Sequence, residues 1–356
     1  MAVQHLIAAF DRWRKFEKPL VLATIVETLG STYSKAGTQM LIETAGDFEG
    51  LVSGGCLEGD LVEHARGVLE SRQPKKVTYD MRDEEEDQVW GLGLGCNGAV
   101  TIFLQVLDPA SAYQPFAAMA ELMEAGSRGG YALVLESDNT TIPPGSAVVV
   151  GDGHVALADE RSGLLLPHCE AAAKNASATV DEIRDGAGRL EIFAAPLPVI
   201  PRVLLLGAGP DVIPVVRIGG LLGWRTTVVD HRPAYLERLR QVVDCDVREV
   251  EPSRLDAAVG LDGFDACVVM SHHYLTDRDY LGCLAASRIP YVGMLGPAKR
   301  KRRLFDELGE CRDKLAGRAR GPVGLDIGAD DADSIALSIV AQIQAVLHNA
   351  GGGHLS

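Results

Sequence analysis

Two short glycine-rich stretches in the first third of the chain each carry a cysteine. Ser53-Gly54-Gly55-Cys56-Leu57-Glu58-Gly59-Asp60 follows an apolar run and opens a segment of helical spacing; Gly91–Gly98 (GLGLGCNG) sets Cys96 among glycines. Glycine weakens regular structure, so two such loops mark strained turns or close approach of backbone to a ligand. Cys56 falls at a helix start, where the dipole favours a ligating sulfur, while Glu58 and Asp60 in the first turn act against it. Either cysteine alone could be a small buried apolar side chain. Together with the glycines they read as ligand contacts: Ser53, Gly54, Gly55, Cys56 and Glu58 from the first loop, Gly95, Cys96 and Asn97 from the second. A third loop, Ser31–Gly37 (STYSKAG), offers hydroxyls and one cation to an anion, or is an ordinary polar hairpin loop.

A different chemistry is written further on. VLLLGAGPDV puts Gly207 and Gly209 between an apolar strand and a helix, and Asp230 ends the next strand 23 positions after Gly207. That context suits a dinucleotide: glycines admit a pyrophosphate, the helix start supplies N–H groups, and the acid accepts from a ribose hydroxyl. Val212 stands where a third Gly or Ala is usual, Pro210 sits in the turn, and Arg232 leaves NADP open beside NAD. A Rossmann fold with no dinucleotide is the plain alternative. SHHYLTDRD follows another strand, so His272, His273, Asp277 and Asp279 could contact a ligand or work as acid–base groups; Asp277 could equally be a helix cap. Their spacing does not suggest a metal site, and none is expected. Lys299–Arg303 are five consecutive cations. On a helix they point all round, so only one or two can meet one phosphate.

These residues need elements to hold them. Leu20–Glu27, Thr38–Glu43, Glu49–Ser53, Lys76–Tyr79 and Ala99–Leu107 read as strands, and Leu57–Leu69 as a helix with apolar positions 57, 61, 62, 65, 68 and 69. Pro115–Ala125 reads as a helix. Apolar runs at 131–135, 147–150, 154–158 and 191–195 read as strands whose order the sequence does not give. After the linker-like PLPVIP, strands at 202–206, 226–230, near 242, 266–271 and 291–295 alternate with helices at 212–222, 234–240, 278–287 and 299–308. That alternation predicts a doubly wound parallel sheet. Ser334–Leu347 closes it, with Asp331 as cap and Ser334 where a capping box carries an acid.

The bulk composition narrows the partners. The 356 residues carry 34 Lys+Arg against 49 Asp+Glu, a net charge of −15, and residues 1–200 hold most of it with 15 against 29. Such a surface repels nucleic acid and anionic membranes. No apolar run reaches the length of a membrane span. The N-terminus reads as an amphipathic helix rather than a signal peptide, and seven dispersed cysteines without a CxxC pair fit a reducing cytoplasm.

GSTYSKAGTQMLI, GLVSGGCLEGDLVEHA and YD…VWGLGLGCNG resemble the N-terminal domain of the XdhC/CoxI family. LLLGAGPDVIPVVRIGGLLGWRTTVVDHRPAY, VVMSHHYLTDRDYL, YVGMLGPAKRKRRL and GPVGLDIGADDADSIALSIVAQI resemble its C-terminal domain, in the family's order. The resemblance implies an N-terminal α/β domain of XdhC/CoxI type over 1–198 and a Rossmann-like doubly wound parallel sheet over 199–350, with a flexible tail at 351–356. It implies an accessory protein that binds molybdenum cofactor, supports its sulfuration with a cysteine desulfurase, and inserts it into an apo molybdenum hydroxylase. It also implies a homodimer. Cys56, Glu58 and Cys96 become candidate cofactor contacts; Gly207, Gly209 and Asp230, with His272 and His273, become the Rossmann ligand site. The alternative from the residues alone is an NAD(P)-dependent oxidoreductase on that second site; another is a scaffold holding no ligand.

Overall fold

The structure is a computed structural model that describes residues 3–82, 98–157, 162–185 and 188–354. The chain divides into two compact units, Met1–Ile200 and Pro201–Ser356.

The first unit opens with helix α1 (Val3–Trp13) and strands β1 (Leu20–Gly30), β2 (Gln39–Ile42) and β3 (Phe48–Glu49). Helix α2 (Glu58–Ser71), β4 (Lys75–Asp80) and β5 (Gly98–Leu107) follow. These strands form an antiparallel sheet in the order β3-β2-β1-β5-β4. After α3 (Phe116–Ala125) come β6 (Gly129–Ser137), β7 (Ala147–Gly151), β8 (His154–Leu157), α4 (Leu166–Asn175), β9 (Thr179–Asp185) and β10 (Gly188–Pro196). Their order, β8-β7-β6-β10-β9, repeats that of the first sheet, with one helix again between the third and fourth strands. Residues 110–200, unordered in the sequence, are thus a second copy of the same topology.

Strand alternation explains the layering. Val21, Ala23 and Ile25 pack toward α2, with Leu57, Leu61 and Ala65. Leu20, Leu22 and Val26 point the other way, into a core shared with Tyr131, Leu133 and Phe193 of the second sheet and with α1 and α3. The second sheet's remaining face takes α4 through Cys169 and Ala172. Both faces of β1 are therefore covered, which is why it reads as an unbroken apolar run.

The expected strand Glu49–Ser53 is cut to two residues. Gly50 adopts φ +110°, and a side chain there would come within 2.6 Å of the Gln39 carbonyl oxygen. Beyond it the amides of Val52 and Ser53 donate to Glu58 instead of a neighbouring strand.

The second unit contains β11 (Arg202–Leu206), α5 (Val212–Leu221), β12 (Arg225–Asp230), α6 (Pro233–Arg240), β13 (Asp246–Glu249) and α7 (Leu255–Val259). It continues with β14 (Ala266–Val269), α8 (Tyr274–Ala286), β15 (Val292–Met294), α9 (Ala298–Glu307), α10 (Cys311–Leu315), β16 (Ala319–Arg320) and α11 (Ala332–Leu347). The parallel sheet runs β13-β12-β11-β14-β15-β16, the 3-2-1-4-5-6 order of a doubly wound Rossmann sheet, with its switch point between β11 and β14. The strand expected near Val242 lies later, at 246–249. Helix α8 starts at Tyr274 rather than Arg278 because His273 caps it, Nδ1 accepting from the Thr276 amide. At α11 the capping box is complete: the Ser334 hydroxyl takes the place of the missing acid. Among the described residues no helix is long and apolar enough to cross a membrane.

Candidate functional site

In the first unit the Ser53–Asp60 loop is organised from within. Glu58 is 1% exposed, and its Oε1 accepts from the amides of Val52 (3.0 Å) and Ser53 (2.9 Å). Its Oε2 accepts from the Ser53 hydroxyl (2.5 Å) and the Gly55 amide (3.0 Å). Ser53 Oγ in turn accepts from the amides of Cys56 and Leu57. Burial pushes the Glu58 carboxyl up, but the Ser53 hydroxyl and the ring of amides outweigh it and hold the group below its usual value. Gly54 and Gly55 supply the positive φ angles, +79° and +110°, that turn the chain around this carboxylate.

Five of the loop's amides are engaged within it, three by Glu58 and two by Ser53, and both Glu58 oxygens accept from the loop. Cys56 is a free, half-buried cysteine beside Gly55, where an added side chain would meet nothing within 4 Å.

The Ser31–Gly37 loop joins this loop. Ser34 Oγ donates to the Leu51 carbonyl at 3.2 Å, and a side chain at Gly54 would meet the Tyr33 ring at 3.2 Å. Tyr33 is 66% exposed, so an aromatic face stands open next to the glycines. Gly95, Cys96 and Asn97 lie outside the described residues. Their described neighbour Gly98 pairs with Gly30, directly ahead of Ser31. Tyr33 is a feature the sequence analysis underweighted; its signal was an aromatic inside an otherwise small polar loop.

In the second unit Gly207 does what the fingerprint requires. Its φ is +126°, and a side chain would come within 2.5 Å of the Met270 carbonyl oxygen. The handles for a dinucleotide are otherwise engaged. Asp230 is 1% exposed; it accepts from the Ala208 amide at 2.8 Å and from Arg232 Nε and Nη2 at 2.9 and 2.7 Å. Burial raises its carboxyl, yet the Arg232 guanidinium and these amides hold it below its usual value. Arg232 lies over the Tyr235 ring at 4.1 Å. Asp211 folds back across the glycine turn: a side chain at Gly209 would meet Asp211 Oδ1 at 2.5 Å. Its Oδ2 pairs with His272 Nε2 at 2.7 Å, across the switch point. His272 has φ +60°, a left-handed conformation costing a non-glycine residue roughly 1 kcal/mol. His273 is occupied as the cap of α8.

Asp277, offered by the sequence as a cap or ligand contact, does not cap α8, since His273 does. It is 3% exposed, accepts from Ser271 Oγ, and pairs with Arg300 Nη2 at 2.6 Å. Arg300 lines a pocket of about 960 Å³ together with Asp211 and His272. Val212, in place of the third glycine, is fully buried in the core with Val215 and Ile339. Among the described residues no group of three or more His, Cys, Asp or Glu side chains could hold a metal ion.

A Rossmann unit joined to a doubled antiparallel α/β unit with a carboxylate-wired cysteine loop defines the class. Residues 13–80 match the model of the XdhC and CoxI family, and residues 203–343 match the XdhC Rossmann domain. The chain belongs to the XdhC/CoxI family. A relative from Bacillus subtilis (strain 168), named a "Probable xanthine dehydrogenase" subunit, is 29% identical over 336 residues, 92% of this chain and 93% of its own. The "Molybdenum cofactor insertion chaperone PaoD" of Escherichia coli (strain K12) is 22% identical over 92% of this chain and 84% of its own. The crystal structure of a xanthine dehydrogenase from Bacillus halodurans is similar with a TM-score of 0.77 and 27% identity, covering 98% of this chain and 96% of that one.

Proposed function

We propose that this protein is an accessory factor in maturation of a molybdenum hydroxylase: it binds molybdenum cofactor, supports its sulfuration with a cysteine desulfurase, and delivers it to the apoenzyme. The observation that carries the reading is the Glu58–Ser53 wiring, which engages the loop's amides internally around a free, half-buried Cys56, with the Tyr33 ring against Gly54 of the same loop. The relative named as a molybdenum cofactor insertion chaperone supports it. When bound, the cofactor brings a soft dithiolene–molybdenum centre and a phosphate. A half-buried thiol on a hydrogen-bonded turn suits the soft end. Cytoplasmic location and a homodimer belong to the same proposal.

The oxidoreductase reading needs Asp230 free for a ribose and the glycine turn free for a pyrophosphate. Arg232 and Asp211 occupy those positions, which favours the accessory role. The test is native mass spectrometry of the protein purified from a cofactor-producing host. A bound mass equal to the cofactor is expected; protein that always emerges as bare polypeptide, or carrying NAD(P), contradicts the reading.

A further inference from the structure

The layer between the two sheets of the first unit is packed from apolar side chains such as Leu22, Leu41, Phe103, Leu133 and Phe193, yet polar groups lie inside it. Gln39 is 7% exposed and Tyr131 is fully buried. Gln39 pairs with Thr24 in the ladder of β1 and β2, two residues from Leu41, so both point into this layer. Tyr131 reaches it from the facing sheet, opposite Ala195. Neither amide atom of Gln39 nor the Tyr131 hydroxyl has a hydrogen-bond partner among the described residues. The two side chains are neighbours all the same: burial pushes the Tyr131 phenol up, and the Gln39 amide offsets part of that rise.

An unpartnered amide in an apolar layer is destabilising, and native interiors pair such groups with protein or with ordered water. Gly37 keeps room for the second. Its φ is +92°, and a Cβ there would stand 4.0 Å from Tyr131 Oη and 3.6 Å from the Ala195 Cβ, both ordinary contact distances. A longer side chain would crowd the hydroxyl; glycine leaves the place to a guest of about one heavy atom. Three polar atoms serve it, Gln39 Oε1 and Nε2 and Tyr131 Oη, which falls within the roughly two to four partners of a buried water. They are uncharged and set in apolar packing, which suits a neutral molecule and not an ion.

We propose that one ordered water molecule is bound between Gln39 and Tyr131 beside Gly37, accepting from Gln39 Nε2 or the Tyr131 hydroxyl and donating to Gln39 Oε1, and that it ties the root of the Ser31–Gly37 loop to the second sheet. That loop is the neighbour of the cysteine loop: its Tyr33 ring lies against Gly54 and its Ser34 donates to the Leu51 carbonyl. What holds Gly37 in place therefore positions Tyr33. The proposal does not depend on what the cysteine loop binds.

Two measurements on the full-length protein test it. The first is a crystal structure fine enough to show ordered water. A peak within hydrogen-bonding distance of both Gln39 and Tyr131 Oη is expected; a direct Gln39–Tyr131 hydrogen bond with no peak between them overturns the proposal, and this result stands even where a variant fails to fold. The second is amide hydrogen exchange in Tyr131→Phe, which keeps the ring and removes only the hydroxyl. Exchange across residues 31–38 should quicken by roughly threefold or more, while that of α4, packed on the far face of the second sheet, rises only as far as global stability falls. Gln39→Met should act in the same direction, and the double variant should add little to either single one, since the first change already removes the water's partners. Loop exchange that follows global stability alone, or losses that simply add, would overturn the tie between this site and the loop.

Discussion

The carboxylate of Glu58 and the hydroxyl of Ser53 share one hydrogen bond of 2.5 Å, and around that pair the whole cysteine loop is hung. Five backbone amides, from Val52 to Leu57, end on one or other of these two side chains. The loop is thus a rigid display for Cys56 whose rigidity has a single buried origin.

Removing that origin should show as lost stability. Glu58→Ala leaves three amides and a hydroxyl without an acceptor in a buried site, and a loss of about 3 kcal/mol is expected in urea unfolding. Cys56→Ser removes no buried partner and should change stability by less than about 0.5 kcal/mol. Equal effects from the two variants would mean the loop is not wired as described.

Acid should act through the same group. Glu58 titrates below its usual value in the folded protein, so the unfolded chain binds the proton more readily. Its stabilisation is therefore complete above the unfolded carboxyl value of about 4.3 and is lost as pH falls through the lower folded value. The stability gap between the native protein and Glu58→Gln should be constant from pH 7 to about 5 and narrow below about 4. A gap that widens on acidification contradicts the assignment.

The Asp230–Arg232 pair predicts strong non-additivity. Arg232→Met leaves a buried carboxylate with two amide donors and only the more distant His231 Nδ1, 3.5 Å away, at a cost of about 3 kcal/mol. Adding Asp230→Asn removes the stranded charge, so the double variant should be less destabilised than the sum of the two singles by at least about 1 kcal/mol. Simple additivity would show that the two side chains do not act as a unit.

The two fingerprint glycines should respond differently. Gly207→Ala forces a side chain onto the Met270 main chain at a positive φ and should cost several kcal/mol, roughly 2–4. At Gly209 the obstacle is only the Asp211 carboxylate, which can swing away, so Gly209→Ala should cost less than about 1 kcal/mol. Differential scanning calorimetry of the two variants gives the comparison directly.

The second unit was legible because its signals are local. An apolar strand, a glycine turn and a helix recur within about thirty residues, and the 3-2-1-4-5-6 order follows from right-handed crossovers. The repeat of topology in the first unit was not, since antiparallel strand order depends on partners far apart in sequence, such as Leu20 with Leu107. Site residues followed the same divide. Cys56, Gly207 and His272 announce themselves by type and neighbours. The internal use of Glu58, Asp230 and Asp277 does not, because a carboxylate facing inward and one facing a ligand have the same letter. Arg300 hid among five cations; only Gly296 and Asp277 single it out.

The most direct test of the account is the affinity of the purified protein for molybdenum cofactor, measured side by side for the native chain and Cys56→Ser at matched folding stability. Binding weakened by at least about tenfold in the variant, roughly 1.4 kcal/mol, is the predicted result. Equal affinity in a folded Cys56→Ser protein would contradict it and take the cysteine loop out of the cofactor site.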